Sequence, residues 1–289
     1  MEKSTFEALI SLLDDNDAEV LDNITQKIRS EGRPIVPELE SAWELVQDPL
    51  VQDRIVDLIK QIKLDVVYKG FKKWLNSPNQ DLLEGLLLFC QFEYPDFDEQ
   101  AIRNQIESIR IDAWLEMSYL LTPLQKIQTL NHIVYTKYKF LGNTQDYTNP
   151  NNSLLNKVLE LRKGNHILLC CVYMLIAQRL DMPIKGVNLP QHFILAYEDT
   201  NAENQNSVLF YINAFNQGTI FNKKEIDNFL KMIDIEPEKK YYEPCSNLEI
   251  IKRMFNNLIF SFQQLKQDDK IDELTILRHL VEQWEKDNT

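Results

Sequence analysis

Three residues of the chain carry side chains that together could cleave or form an amide bond: Cys170, His192 and Asn213. A cysteine thiolate attacks a carbonyl carbon, and an imidazole that is hydrogen-bonded to the thiol accepts its proton. A carboxamide can hold that imidazole in the orientation that the proton transfer requires. These residue types predict either a cysteine-dependent amide hydrolase or acyl transferase, or a site that retains part of this constellation without the reaction.

One apolar helix and three short strands would position these side chains. The helix is predicted over Ile167–Leu180 and stops before Pro183. β-Branched and alternating segments predict strands over Ile184–Asn188, His192–Tyr197 and Val208–Asn213. The polar segment Asp199–Ser207 is predicted as a hairpin loop between the last two strands. Because neighbouring strands lie about 4.8 Å apart, we expect the side chains of His192 and Asn213 to meet.

Several sequence blocks around these elements resemble a known bacterial family. The blocks are NSLLNKVLELRKGNHILLCC, MPIKGVNLPQHF and YINAFNQG, preceded by EYPDFD and KFLGNTQDYTNPNNS. In this order and spacing they are similar to the regulators of sirC expression, or SirB-type proteins, over about Leu82 to Leu280. The resemblance implies a transglutaminase-like core combined with tetratricopeptide-like helices. It implies no particular activity, because this fold carries both enzymes and inactive copies.

The resemblance also implies where a nucleophile would stand, namely at the N-terminus of the apolar helix. There the helix dipole lowers a thiol pKa, and unpaired backbone N–H groups stabilise an oxyanion. In active transglutaminase-like proteins this position lies about 17 residues before the proline that follows the helix, which here is His166. Cys170 comes one turn later, about 6 Å deeper along the helix. We therefore expect the chain to lack a thiol at the position that the reaction needs.

The segment that carries Asn213 departs from the family pattern as well. Asn213 stands where the family has an aspartate, a change that papain-like triads tolerate. Ala214 and Gln217 replace a proline and a glycine of the family's pattern, so the loop after the strand is expected to differ.

Each candidate residue also has an ordinary structural interpretation. Cys170 and Cys171 lie in an apolar run, where small cysteines commonly fill a core. His192 could hold its loop by hydrogen bonds, His166 could cap the helix, and Asn213 could end its strand. Under the functional interpretation, a ligand cleft around His192 and Asn213 would also be lined by His166, Asn188 and Gln191.

Composition and charge argue against several classes of protein. The chain has 289 residues, of which 44% are hydrophobic, so it can bury a substantial core. A net charge of −13 without a basic patch argues against nucleic-acid binding. Only 7 glycines are present and no phosphate-binding motif appears, so no nucleotide cofactor is expected.

Metal, disulfide and membrane roles are likewise not predicted. The scattered cysteines and histidines lack the spacing of a metal site or a disulfide framework: Cys90, Cys170, Cys171, Cys245, His132, His166, His192 and His279. The first residues do not resemble a signal peptide, and no window is apolar enough to span a membrane. We therefore expect a cytoplasmic protein with no metal or other cofactor.

Three regions follow from the pattern along the chain. Residues 1–78 are predicted as HEAT-like helical hairpins, because apolar positions repeat faintly at a shift of 31 residues. The paired positions are Asp17 with Asp48, Val20 with Val51, Ile24 with Ile55 and Ile28 with Ile59. Residues 79–240 would form the transglutaminase-like core, and 241–289 a tetratricopeptide-like hairpin.

Together these observations predict a mostly helical α+β protein with a transglutaminase-like, papain-like core and a small antiparallel sheet, flanked by helical hairpins. The favoured hypothesis is a non-catalytic regulatory module that binds a protein or peptide partner. The alternative hypothesis is a cysteine-dependent enzyme that uses Cys170, His192 and Asn213. A third hypothesis is a scaffold protein in which the cleft is fully closed, and it predicts no pocket near His192.

Overall fold

The chain folds into two compact units, which comprise residues 1–73 and 74–289. A computed structural model describes residues 2–199 and 208–288, and about 68% of the chain is helical. The predicted class, a mostly helical α+β protein, is confirmed. The predicted division at residues 78 and 240 remains a prediction, and the second unit groups the last hairpin with the core.

The N-terminal unit is built from helices only. Its helices are α1 (Lys3–Ser11), α2 (Ala18–Ser30), α3 (Val36–Leu45) and α4 (Pro49–Leu75), which continues into the second unit. The predicted capping residues act at two of these starts. The side chain of Asp17 accepts hydrogen bonds from the first turn of α2, and Asp48 accepts one from the backbone N–H of Leu50. Ile24, Ile28 and Ile55 of the predicted repeat are buried in the core of this unit.

The C-terminal unit contains the other helices and the strands. Its helices are α5 (Leu82–Glu93), α6 (Glu99–Glu116), α7 (Pro123–Asn131), α8 (Leu155–Leu161), α9 (His166–Gln178), α10 (Lys223–Met232), α11 (Asn247–Leu265) and α12 (Asp268–Asn288). Its strands are β1 (Leu141–Gly142), β2 (Lys163–Gly164), β3 (Ile184–Val187), β4 (Ile194–Glu198), β5 (Val208–Asn213) and β6 (Thr219–Phe221). A π-helical turn, His132–Lys137, follows α7.

Two sheets flank the buried helix α9. The main sheet is antiparallel in the order β3-β4-β5-β6, whereas β1 and β2 form a short parallel pair. Every residue of α9 from Ile167 to Ala177 is buried, as its continuous apolar sequence predicts. The sheet therefore packs on this helix, and β6 extends it beyond the three strands identified in the sequence.

Two boundaries differ from the sequence prediction in a way that matters for the site. Helix α9 begins at His166, one residue earlier than predicted. Strand β4 begins at Ile194 rather than at His192, because a turn at Pro190–Gln191 delays the start of the ladder. The predicted hairpin loop falls mainly on residues 200–207, which lie outside the described residues.

Candidate functional site

The start of α9 is held by a buried asparagine. The side-chain oxygen of Asn165 accepts a hydrogen bond from the backbone N–H of Leu168 at 2.9 Å, which is the bond of a helix N-cap. Its amide nitrogen donates to Ser153 Oγ at 2.7 Å, and Asn165 is only 6% exposed. Because the cap and its support are buried, the position of the next residue, His166, is well fixed.

Three side chains surround the imidazole of His166. The ring of Phe215 stacks on it with centroids 3.8 Å apart and an interplanar angle of 15°. The hydroxyl of Tyr147 lies 3.2 Å from Nδ1 of His166. The ring of His192 meets it edge-on at 4.5 Å. The first residue of α9 is therefore an imidazole packed within an aromatic cluster.

His192 lies on the other side of this cluster, in the turn before β4. Its ring packs edge-on against Phe229 of α10 at 4.8 Å. The preceding residue, Gln191, is exposed and adopts a left-handed backbone with φ 58°. Nδ1 of His192 is shielded from solvent yet has no hydrogen-bond partner among the described residues. A shielded polar atom without a partner can form a hydrogen bond with a ligand group that reaches it.

An arginine from the last hairpin lies beside these rings, and we call the two imidazoles with Tyr147, Phe215, Phe229 and Arg253 the candidate cleft. Nη1 of Arg253, on α11, donates to Asn188 Oδ1 at 2.6 Å and to the carbonyl oxygen of Leu189 at 2.8 Å. These two bonds tie the turn that carries His192 to α11. Asn188, predicted as a cleft residue, therefore acts through its contact with Arg253.

The two imidazoles are held in the neutral form. Burial lowers the pKa of His166 to about 4, with smaller effects of the neighbouring His192 and Arg253. Burial, assisted by the positive charge of Arg253, also lowers the pKa of His192. Near neutral pH the cleft therefore has one permanent positive charge, on Arg253, beside two neutral rings that can each donate and accept a hydrogen bond.

Cys170 lies in the core beneath this cleft. It is 0% exposed, and its thiol donates to the carbonyl oxygen of Phe193 at 3.4 Å. Burial raises its pKa, and that of the adjacent Cys171, well above the ordinary value. A catalytic thiol needs the opposite environment, which is exposed and stabilises the thiolate.

Within the described residues Asn213 makes no hydrogen bond to Nδ1 of His192, the contact that the strand spacing suggests. Its side-chain oxygen accepts from the backbone N–H of Asn216 at 3.1 Å and so caps the short turn after β5. Strands β4 and β5 pair Leu195 with Ile212, so that Asn213 lies opposite the start of β4. His192 precedes that start by two residues, an offset of about 7 Å along an extended chain.

The structure thus brings His166 and His192 together and ties Asn188 to Arg253 beside them, whereas the side-chain hydrogen bonds of Cys170 and Asn213 within the described residues go to backbone groups and not to an imidazole. Gln191 is exposed next to His192. Sequence reasoning missed four side chains of the cleft: Tyr147, Phe215, Phe229 and Arg253. For Tyr147 there was a signal, since it lies in a long polar segment of the kind that often carries function. For Arg253 there was none, because it is one of many charged residues on an amphipathic helix.

Metal-binding clusters and membrane-spanning helices are both absent from the part of the chain that the structure describes. No group of three or more His, Cys, Asp or Glu residues is arranged to hold a metal ion in that part. None of its helices is both long enough and apolar enough to cross a bilayer.

A family model described as the transglutaminase-like superfamily matches residues 100–256. This match covers more than half of the chain and contains α9, the main sheet and every residue of the cleft. No solved structure gives a significant match.

The curated relatives include proteins of several bacteria, and F-box only protein 21 of Mus musculus is 30% identical over 138 residues, or 47% of this chain and 21% of that protein. A UPF0162 protein of Xylella fastidiosa is 36% identical over 118 residues, which is 39% of this chain and 41% of that protein. The UPF0162 protein YchA of Escherichia coli K12 is 28% identical over 190 residues, or 64% of this chain and 68% of YchA. The protein SirB1 of Salmonella typhimurium is 26% identical over 193 residues, or 65% of this chain and 69% of SirB1. The chain thus spans about two fifths of the Xylella fastidiosa protein and about two thirds of YchA and SirB1.

Proposed function

The chain belongs to the transglutaminase-like superfamily, with SirB-type relatives, and from this premise we propose that it is a non-catalytic member whose cleft at the start of α9 binds a segment of another protein. The observation that carries the proposal is the imidazole of His166 at the first residue of α9, where the reaction would need a thiol.

The environment of the cysteines supports the absence of catalysis. Attack on an amide requires a thiolate that faces the substrate. Cys170 is enclosed, its thiol is bonded to a backbone carbonyl, and burial raises its pKa. Each of these features stabilises the protonated, unreactive thiol.

The composition of the cleft supports a binding role. Aromatic rings and arginine are the side chains that contribute most to protein interfaces. Here Phe215, Phe229 and Tyr147 surround two imidazoles, and Tyr147 is 47% exposed at the rim. Their positions are fixed by stacking and by the buried cap at Asn165, so little conformational entropy would be lost on binding.

A cytoplasmic location forms part of the proposal. All four cysteines are free, and three of them are buried. Free thiols are typical of proteins kept in a reducing compartment.

Site-specific photo-cross-linking in the native host tests the binding role. A benzophenone amino acid in place of Tyr147 is expected to capture one defined protein, and His166→Ala should abolish the capture by removing the centre of the cleft. The same probe at Tyr119, which is 91% exposed and distant in sequence from the cleft residues, is the control. Equal capture from both positions would contradict a specific cleft.

An activity assay tests the other half of the proposal. The purified protein, incubated with glutamine-containing peptides with and without a primary amine, is expected to produce no more deamidated or cross-linked product than buffer. Turnover that disappears in His192→Ala would overturn the proposal in favour of a cysteine-dependent enzyme.

A further inference from the structure

Building on the proposed function, we propose that the cleft is a carboxylate-binding site, in which Arg253 is the anchor for an acidic side chain or a C-terminal carboxylate of the bound segment. The inference goes beyond a general protein-binding role because it names the chemical group that the cleft recognises.

Arg253 is a half-buried cation without an anionic partner in the part of the chain that the structure describes. Its guanidinium donates through Nη1 to Asn188 Oδ1 and the Leu189 carbonyl oxygen, which are both neutral acceptors. No ion pair involves Arg253 within residues 2–199 and 208–288. Glu249, one turn earlier on α11, instead accepts from the backbone N–H of Ser246 at 2.8 Å as part of a capping box.

Arg253 lacks this partner in an acidic chain in which several other arginines have one. Acidic residues outnumber basic ones 44 to 31, and other arginines of the protein pair with them. Arg29 meets Asp65 at 2.9 Å, and Arg103 meets Glu84 at 2.7 Å. A cation withdrawn from water is costly unless it is paired. A carboxylate from a ligand would supply the missing charge and could accept from the remaining N–H groups of the guanidinium.

Three neutral polar side chains lie within the electrostatic influence of Arg253. Tyr147 and both imidazoles interact electrostatically with Arg253, which places them near its charge. In the His166 tautomer whose Nδ1–H donates to Tyr147, the Tyr147 hydroxyl can donate to a ligand, and the partnerless Nδ1 of His192 can donate in its own Nδ1–H tautomer. One fixed charge and several neutral donors match a monoanion. They suit a carboxylate better than a phosphoryl dianion, whose second charge would find no cation because the imidazoles are neutral.

The test is an NMR titration of the full chain at constant ionic strength, which follows the ring signals of the histidines and the Nε–H signals of the arginines. The probes are N-acetyl-glutamate N-methylamide, its neutral isostere N-acetyl-glutamine N-methylamide, N-acetyl-leucine with a free carboxylate, and inorganic phosphate. We expect saturable shifts of His166, His192 and Arg253 with at least one carboxylate probe. The glutamine analogue and phosphate should bind at least tenfold more weakly. The response to the glutamate and leucine probes separates a side-chain carboxylate from a terminal one.

Variants assign the effect to one residue. Arg253→Gln should weaken binding of the carboxylate probe at least tenfold. Arg253→Lys keeps the positive charge but loses the paired N–H donors of the guanidinium, so its affinity should lie between those of Arg253→Gln and the wild type. Arg162→Gln is the matched control, because Arg162 is another partly buried arginine, lying over the rings of Tyr138 and Phe140. Each variant is judged to be folded when the ring signals of its other histidines, His132 and His279, match those of the wild type.

Equal binding of the glutamine analogue, tighter binding of phosphate, no saturable shift with either carboxylate, or unchanged affinity in a folded Arg253→Gln would each overturn the inference. Failure of the proposed function has a separate signature, which is turnover of glutamine peptides. A protein that binds carboxylates and also turns over such peptides would refute only the proposed function.

Discussion

At the scale of single residues, the cleft is defined by two imidazoles that remain neutral. His166 and His192 lie with ring centroids 4.5 Å apart next to the positive charge of Arg253. Protonation of either ring would place like charges together in a site with restricted access to water. The fold therefore favours hydrogen-bonding imidazoles over a general base that is protonated and deprotonated near neutral pH.

This arrangement predicts a pH dependence of the free energy of unfolding. The unfolded chain protonates residue 166 below about pH 6.5, whereas the folded protein does so only near pH 4. The stabilising contribution is thus fully present above pH 6.5 and is lost as the pH falls toward 4. Between pH 7.5 and pH 5, the free energy of unfolding of His166→Gln should fall by about 1–2 kcal/mol less than that of the wild type, as measured by urea unfolding. Equal slopes for the two proteins would contradict the depressed pKa of His166.

At the scale of elements, the start of α9 positions the whole cleft. Asn165 is the residue that ends the preceding segment and caps the helix, and its second bond to Ser153 ties the cap to the turn before α8. The helix N-cap, the short β1–β2 pair and the turn after β5 meet around His166. A substitution that moves any one of these three elements should therefore alter the environment of the His166 imidazole.

Removing the cap tests this dependence. Asn165→Ala breaks one bond to Leu168 and leaves the buried Ser153 hydroxyl without its donor, so we expect a loss of about 2–3 kcal/mol. Asn222→Ala removes the exposed cap of α10 and should cost only about 1 kcal/mol. Urea unfolding of both variants makes the comparison. Equal losses would mean that burial adds nothing to the cap of α9.

A glycine in β1 controls the stacking partner of His166. A Cβ atom at Gly142 would lie 2.5 Å from Cζ of Phe215, so Gly142→Ala should displace that ring and destabilise the protein by about 1–3 kcal/mol. Gly164, its partner in β2, is the control, because its Cβ would meet Val158 at 3.1 Å. The ring signals of His166 should shift more in Gly142→Ala than in Gly164→Ala. Identical spectra would contradict the proposed contact.

At the scale of the whole molecule, local pattern predicted the elements better than the site. The continuous apolar run predicted the buried helix α9, and the alternating segments predicted the strands, because hydrophobic periodicity is a local property of the sequence. The position of His166 at the helix start was also inferred correctly from its distance to Pro183. These features suffice to place the chain in its fold class.

Contacts between distant segments could not be predicted in the same way. The turn at Pro190–Gln191 shifts the start of β4 by two residues, and Asn213 makes no hydrogen bond to Nδ1 of His192 within the described residues. Arg253 lies 61 residues after His192 in a hairpin that was predicted as a separate region. Only the packing of α11 against the core brings its charge to the cleft, and no local pattern encodes that packing.

The measurement that tests the central claim most directly is thiol alkylation of the native full chain across pH, with mass spectrometry to assign each cysteine. We expect Cys170 and Cys171 to react only after unfolding, since both are fully buried and burial raises their pKa. His166→Cys, which places a thiol at the first residue of α9, where the helix dipole lowers a thiol pKa, should react faster than Cys170 and serves as the positive control. Rapid labelling of Cys170 in the native wild type below neutral pH, slowed by His192→Ala, would contradict a non-catalytic cleft.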